Sequence, residues 1–467
     1  MAETNTPLPV REHSIVKVAI TALTATSIEW YDFFIYGTAA ALVFPTVFFA
    51  SDLSPFVAQL ASFSTFAVGF VARPLGGVIF GHLGDRAGRK VALVTALLTM
   101  GIATTLIGFL PSYATAGALA PVVLVLLRFV QGLAIGGQWA GAVLLATENA
   151  PPNRRGFYGA FAQAGVPAGM LLANLIFLIV IEMVSPEAFL SWGWRVPFLM
   201  SIGLIGLALY VQLRLEETTE FRQLKEAKQF RDRKLIEQRA AASGIRLDRA
   251  IAEAAAERRP SPVLEALRRY PREIALATGT LMAIQVSFYI FSTFLIAYGT
   301  APTGMNMPRS TMLAAVLISA LVMIPALFVS AAYSDRHGRR GIFIVGAVLA
   351  GIWGFFLFPL METRSFTLIV ISMSVGQIFF AMMYGPQAAF LAEMFSTRVR
   401  YSGASLGYQL GAILGGALAP IIATALVASF DSAFPVSVYI ALACAVTVVS
   451  VLMLRETYLA AADEDEV

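Results

Sequence analysis

The sequence predicts an all-helical protein that crosses a membrane twelve times, in two six-helix halves. Three observations carry this. The chain is far too apolar for a soluble protein, it holds twelve apolar stretches of spanning length, and a set of loop features recurs about 250 residues apart.

Of the 467 residues, 58% are hydrophobic and only 13% charged, with a mean hydropathy of +0.75. A soluble chain is roughly 45–50% apolar and about 25% charged. A soluble multidomain enzyme, a disordered chain and a fibrous protein are excluded, and a membrane barrel needs no such apolar excess. Cys444 stands alone, so no disulfide forms within the chain, and His13, His82 and His337 are too scattered for a metal cluster. Residues 1–16 are polar and lack the apolar core of a secretory signal, so the first apolar segment is expected to be a retained anchor.

A bilayer-crossing helix needs about 20 predominantly apolar residues. The expected spans are 17–48, 56–81, 90–110, 119–147, 156–183, 194–214, 273–299, 310–333, 340–360, 365–391, 402–429 and 434–455. The expected domains are an N-terminal half (1–214), a charged, partly helical linker (215–271), a C-terminal half (272–456) and an acidic tail (457–467). Within the linker, residues 225–262 are expected to be a solvated tether. With both termini inside, 28 of the 33 Lys and Arg residues fall on the cytoplasmic side. Three, Arg195, Arg309 and Arg364, fall outside, and Arg73 and Arg128 lie within spans. This bias orients the chain in a cell (inner) membrane.

The loop after span 2 reads GHLGDRAGRK (81–90), and the loop after span 8 reads YSDRHGRR (333–340). Span 4 ends in Glu148, followed by Arg154, Arg155 and Gly156. Span 10 ends in Glu393, followed by Arg398, Arg400 and Gly403. Such a repeat, in one orientation, belongs to two halves that rock about a site near the bilayer midplane.

The first of these loops resembles the signature of the major facilitator superfamily, and RFVQG (Arg128, Gln131, Gly132) resembles its span-4 motif. SIEWYDFFIYG (27–37), ARPLGG (72–77), LSWGWRVPF (190–198) and AEMFSTRVRYSGASLGYQ (392–409) are similar to the metabolite:proton symporter family, and most to its shikimate transporter branch. The resemblance implies a proton-coupled symporter of a small organic acid (shikimate-like, 2-oxoglutarate-like or aromatic), monomeric, with the proton as coupling ion and no cofactor. Two alternatives stay open. One is a proton-coupled antiporter or efflux carrier, hinted at by GVPAG (165–169). The other is a betaine/proline porter, which the short 12-residue tail after Arg455 disfavours. No phosphate loop or hydrolase motif is present, so ATP-driven transport and enzymatic activity are not expected.

Charges inside hydrocarbon cost several kcal/mol and mark function. Span 1 holds Glu29 and Asp32, one turn apart, and span 4 holds Arg128. By helical rise these three share a depth near the middle, with Arg73 in span 2 nearer the cytoplasm. Burial favours a neutral carboxyl and a nearby guanidinium favours the charged one. Glu29, Asp32, Arg73 and Arg128 are therefore candidate proton-coupling groups, the competing role being a fixed charge network. Gln138 stands where the family commonly has an acid, and so does Ile284. Candidate substrate contacts are Tyr31, Tyr36, Arg128, Gln131, Trp139, Gln163, Gln285, Tyr289, Tyr384, Gln387 and Tyr408, with Trp30, Asn174 and Gln409 further mid-span candidates. A cytoplasmic gate is expected from Gly81, Asp85, Arg86, Gly88, Arg89 and Glu148, with Asp85 capping the start of span 11. Asp335, Arg336, Arg339 and Glu393 would form its second copy. Glycines at every fourth position (403, 407, 411 and 415) suit either tight packing or a sliding surface.

Overall fold

The computed structural model describes residues 12–87, 89–136, 154–214, 270–394 and 400–454, with Glu237, Arg246 and Arg268 as single residues. Twelve long helical segments lie among them. In the first half these are α1 (Glu12–Leu42), α2 (Pro55–Ala87), α3 (Arg89–Gly108), α4 (Leu119–Ile135), α5 (Arg155–Met183) and α6 (Arg195–Arg214). In the second they are α7 (Pro271–Thr300), α8 (Arg309–His337), α9 (Arg339–Glu362), α10 (Phe366–Glu393), α11 and α12 (Phe434–Met453). α11 joins Arg400–Gly411, a π-helical stretch Ala412–Ala417, and Ala419–Phe430. Among the described residues, eight of these segments are long and apolar enough to cross a membrane, with shorter apolar helices at Val94–Gly108 and Leu119–Ile135. The acidic tail and nearly all of the linker lie outside the described residues.

The expected span boundaries shift where local chemistry intervenes. α1 stops at Leu42 rather than 48, because Pro45 has no N–H to continue the ladder and its ring crowds the carbonyl one turn back, while it suits the first turn of a new helix. The chain restarts there as a single turn, Phe44–Val47. α2 and α8 run past their apolar stretches to Ala87 and His337, since a helix continues into the polar headgroup zone without loss. Gly338 ends α8 at φ 91° and ψ 164°, a region open essentially only to glycine, which accounts for the glycine in DRHGRR.

The motifs are packing devices as much as anything else. In ARPLGG, Gly76 faces the backbone of Leu133, and a Cβ on Gly136 would overlap the carbonyl oxygen of Arg73, so α2 and α4 touch backbone to backbone. In LSWGWRVPF, Arg195 donates to the terminal carbonyls Gly108 O (2.8 Å) and Leu110 O (2.6 Å), capping α3. Tyr31 donates to Pro197 O at 2.8 Å, pinning α6 to α1. The glycine ladder on α11 is also explained. Gly407, Gly411 and Gly415 pack on Ala277, Leu281 and Gln285 of α7, inside one half, so they are a packing face and not a surface on which the halves slide.

Replacing Gly136 with Val should force α2 and α4 apart and cost about 1–3 kcal/mol. The expected result is a thermal unfolding midpoint several degrees lower in detergent; an unchanged midpoint would contradict the backbone contact.

Candidate functional site

Two faces bring the halves together. At the end of the bundle carrying the basic loops, Asp335 of α8 accepts hydrogen bonds from the first amides of α5, Gly156 N (2.8 Å) and Phe157 N (2.7 Å). A carboxylate at a helix N-terminus meets both the unpaired amides and the favourable end of the dipole. Arg339, fully buried, donates to Asp335 (2.6 Å) and Ser334 (2.8 Å) and reaches Glu393 at 3.4 Å. A side chain at Gly156 would collide with this group. Phe157 and Phe161 of α5 pack on Phe328 of α8 just above it. Arg336 is exposed and joins no ion pair among the described residues, whereas Arg339 reaches both acids; the helical turn that buries residue 335 points residue 336 outward. Nothing is described of the side chains of Gly81, Asp85, Arg86 and Arg89, nor of Gly88, Trp139 and Glu148, which lie outside the described residues.

Mid-bundle, an aromatic layer spans the seam: Trp30, Phe33 and Phe34 of α1 and Phe66 and Phe70 of α2 meet Phe288 and Tyr289 of α7. Beneath it lies a cavity lined by Trp30, Val166, Ile284, Gln285, Phe288, Tyr289, Phe380, Tyr384 and Tyr408. The volume open to a water centre is about 10 Å³, room for one water. At the opposite end of the bundle, Arg309 of α8 stands 5.6 Å from the Phe189 ring centroid across the seam. The described contacts thus join the halves at both ends and in the middle, beside a small central cavity.

The four intramembrane charges are arranged in a way the helical rise alone did not give. Arg73 is the nearest cation to Glu29, and its guanidinium faces the Tyr289 hydroxyl. Asp32 lies elsewhere, between α1, α3 and α6, where the hydroxyls of Thr104 and Ser201 face it. Neither carboxylate oxygen of Asp32 has a hydrogen-bond partner. Arg128 lies 4.2 Å from the Tyr36 ring and 5.0 Å from both Phe33 and Phe66, with Nη1 donating to Gln131 (3.3 Å). Arg73 lies 4.9 Å from that same Phe33 ring and 4.5 Å from Phe70. Arg73 Nε and Arg128 Nη2 are buried without partners. Among the described residues neither arginine is within ion-pair distance of an acid.

Residues 17–464 match the family described as "Sugar (and other) transporter". The chain belongs to this transporter family. It is 38% identical over 447 residues to the inner membrane metabolite transport protein YhjE of Escherichia coli K12, covering 94% of each chain. It is 37% identical over 443 residues to the shikimate transporter of the same organism, again covering 94% of each. Its fold matches a partially occluded, inward-open structure of the xylose transporter XylE from E. coli with a TM-score of 0.70 at 18% identity, over 96% of this chain and 99% of that one. The protein therefore has the major facilitator fold and is a multi-pass membrane transporter, not an enzyme.

Within this transporter fold the predicted contacts divide. Gln285, Tyr289, Tyr384 and Tyr408 reach the cavity, as does Trp30. Gln163 and Gln387 meet beside it across the seam at 3.4 Å, each with one amide atom unpartnered. Tyr31, Tyr36 and Gln131 do not line it. Their polar atoms are spent within the first half, on Pro197 O, Thr65 (2.8 Å) and Thr104 (2.7 Å). Asn174 is likewise held by Thr38 at 2.9 Å. Sequence reasoning missed Phe288 and Phe380, whose signal was only their spacing from Tyr289 and Tyr384. It also missed Thr104 and Ser201, ordinary hydroxyls with no signal at all.

Removing the Asp335 carboxylate should loosen the clasp at the basic end. In a Cys444→Ser background, alkylation of an Ala160→Cys probe in α5 is expected to quicken about tenfold with Asp335→Ala, the scale of one charged hydrogen bond. An unchanged rate would mean the clasp does not hold this face shut.

Proposed function

We propose that the protein is a proton-coupled symporter importing a small organic acid by alternating access, with the basic end facing the cytoplasm. The observation that carries this is the pair of buried guanidiniums, Arg73 and Arg128, sharing the Phe33 ring with no acid at ion-pair distance among the described residues and with unused N–H groups. A guanidinium held this way is suited to a carboxylate. Glu29 and Asp32 complete the charge count: two cations, two acids, and one net positive charge when one acid is protonated. A bound monoanion then makes the site neutral, which is the condition for crossing a low-dielectric interior.

Asp32 is the better proton carrier of the two acids. A carboxylate with no cation beside it and only two hydroxyls facing it, neither bonded, is poorly kept in hydrocarbon, so the arrangement suits the protonated form. The substrate side is supported by the cavity, whose wall is mostly aromatic ring with amide and phenol tips. That wall favours a cyclic acid, in keeping with the similarity to a shikimate transporter. Ile284 in the wall offers nothing to the cationic end of a betaine.

Two measurements test the reading. Purified protein should bind carboxylic acids such as shikimate or benzoate at least about tenfold more tightly than their amides, and betaine weakly; equal affinity for acid and amide would overturn the anion claim. In vesicles, Asp32→Asn should abolish accumulation driven by a pH gradient while sparing substrate exchange. Accumulation at the wild-type level would remove Asp32 from the proton path.

A further inference from the structure

Two side chains, Gln131 and Thr104, lead from Arg128 toward Asp32, whose carboxylate oxygens have no partner. Arg128 Nη1 donates to Gln131 Oε1 at 3.3 Å, and Gln131 Nε2 donates to Thr104 Oγ1 at 2.7 Å. Thr104 in turn donates to Met100 O at 2.8 Å, one helical turn back. Every bond in the chain runs in the same sense, from the arginine outward. It ends on a backbone carbonyl, although Thr104 also faces Asp32.

Thr104 has one hydrogen to give. Its bond to Met100 O is an optional one, since such back-bonding adds to a carbonyl already used by the helix. Turning the hydroxyl from Met100 O to Asp32 would complete a chain Arg128–Gln131–Thr104–Asp32, in which each bond polarises the next. Few charged or titratable groups surround Asp32. Glu29, Tyr31 and Tyr36 lie on its own helix, Arg73 comes from α2 and Arg128 from α4, and Tyr289 faces the arginines from across the seam. α3 and α6 present to it only the hydroxyls of Thr104 and Ser201, and the Ser201 hydroxyl has no partner.

We propose that Thr104 is a positioning residue for the proton step: its hydroxyl turns from Met100 O to the Asp32 carboxylate as the proton leaves, tying the new charge to Arg128 through Gln131. The O–H bond of the carboxyl breaks, the proton passes to water admitted when one end opens, and no other covalent bond changes. Gln131 is then a relay rather than a substrate contact. The inference rests on Asp32 as the proton carrier.

The test is an infrared titration of the purified full-length chain. The Asp32 carboxyl band is identified as the one missing in Asp32→Asn. With the donor removed, Thr104→Val should hold the proton to higher pH, moving the band's midpoint up by about one unit. Thr104→Ser, which keeps the hydroxyl, should restore the wild-type midpoint. Where valine packs badly, Thr104→Ala removes the same group without added bulk. A midpoint unmoved in the hydroxyl-free variants overturns the relay while leaving Asp32 as the proton site. A wild-type chain with no titrating Asp32 band overturns the Asp32 assignment, and the relay with it.

Discussion

Two guanidiniums held in the middle of a hydrocarbon slab constrain everything around them. Each costs several kcal/mol there unless its surroundings compensate. The chain compensates with ring faces: Phe33 and Phe70 for Arg73, and Phe33, Tyr36 and Phe66 for Arg128. A cation over an aromatic face gains roughly 0.5–2 kcal/mol, more when water is excluded. Five such contacts therefore offset much of the cost without neutralising the charge. Space is cleared as well, since a Cβ on Gly69 would strike the Arg128 guanidinium. The same rings then continue across the seam to Phe288 and Tyr289, so the layer that holds the cations also joins the halves.

The contacts across the seam differ in kind between the basic end and the middle. The basic end is shut by a carboxylate on helix amides, a directional contact that is either made or lost. The middle is filled by rings that meet edge to face across the seam, a contact without fixed hydrogen-bond partners. α7 and α11 both carry π-helical stretches, Ile290–Phe294 and Ala412–Ala417, directly beyond the cavity-lining Gln285 and Tyr289 and against them. Such turns loosen the regular ladder, and they commonly occur at functional sites. Two of the helices that wall the void thus carry an irregular turn beside it.

Much of this was legible in the chain and some was not. The spans and the repeat were, because apolar length and loop charge are one-dimensional properties. The mid-bundle arginines were visible because a charge within an apolar run has no innocent background. Their partners were not. Helical rise gave Asp32 and Arg128 a common depth, yet depth says nothing of azimuth, and Asp32 turns toward α3 and α6 while Glu29 has Arg73 as its nearest cation. Arg336 and Arg339 looked equivalent in DRHGRR, but the break at Gly338 puts them on different helices, Arg336 exposed at the end of α8 and Arg339 buried at the start of α9. Gln131 carried a motif signal that could not distinguish a substrate contact from a link to Thr104.

The separation of the two acids bears on how coupling is achieved. If both carboxylates lined the void, a bound anion would be repelled by whichever was charged, and proton and substrate would meet directly. Instead the Asp32 pocket is enclosed within the first half, away from the cavity-lining residues, while Glu29 and Arg73 flank the tyrosines that line the void. The two arginines stand between, each against Phe33. In the symport proposed above, a charged Asp32 and a substrate carboxylate on the cavity side would draw on the same guanidiniums. Proton loss and anion binding would then compete for one positive field through the shared ring. Competition of that form links the two ligands without their touching. It requires the arginines to remain free of any fixed acid partner, which is how the structure holds them.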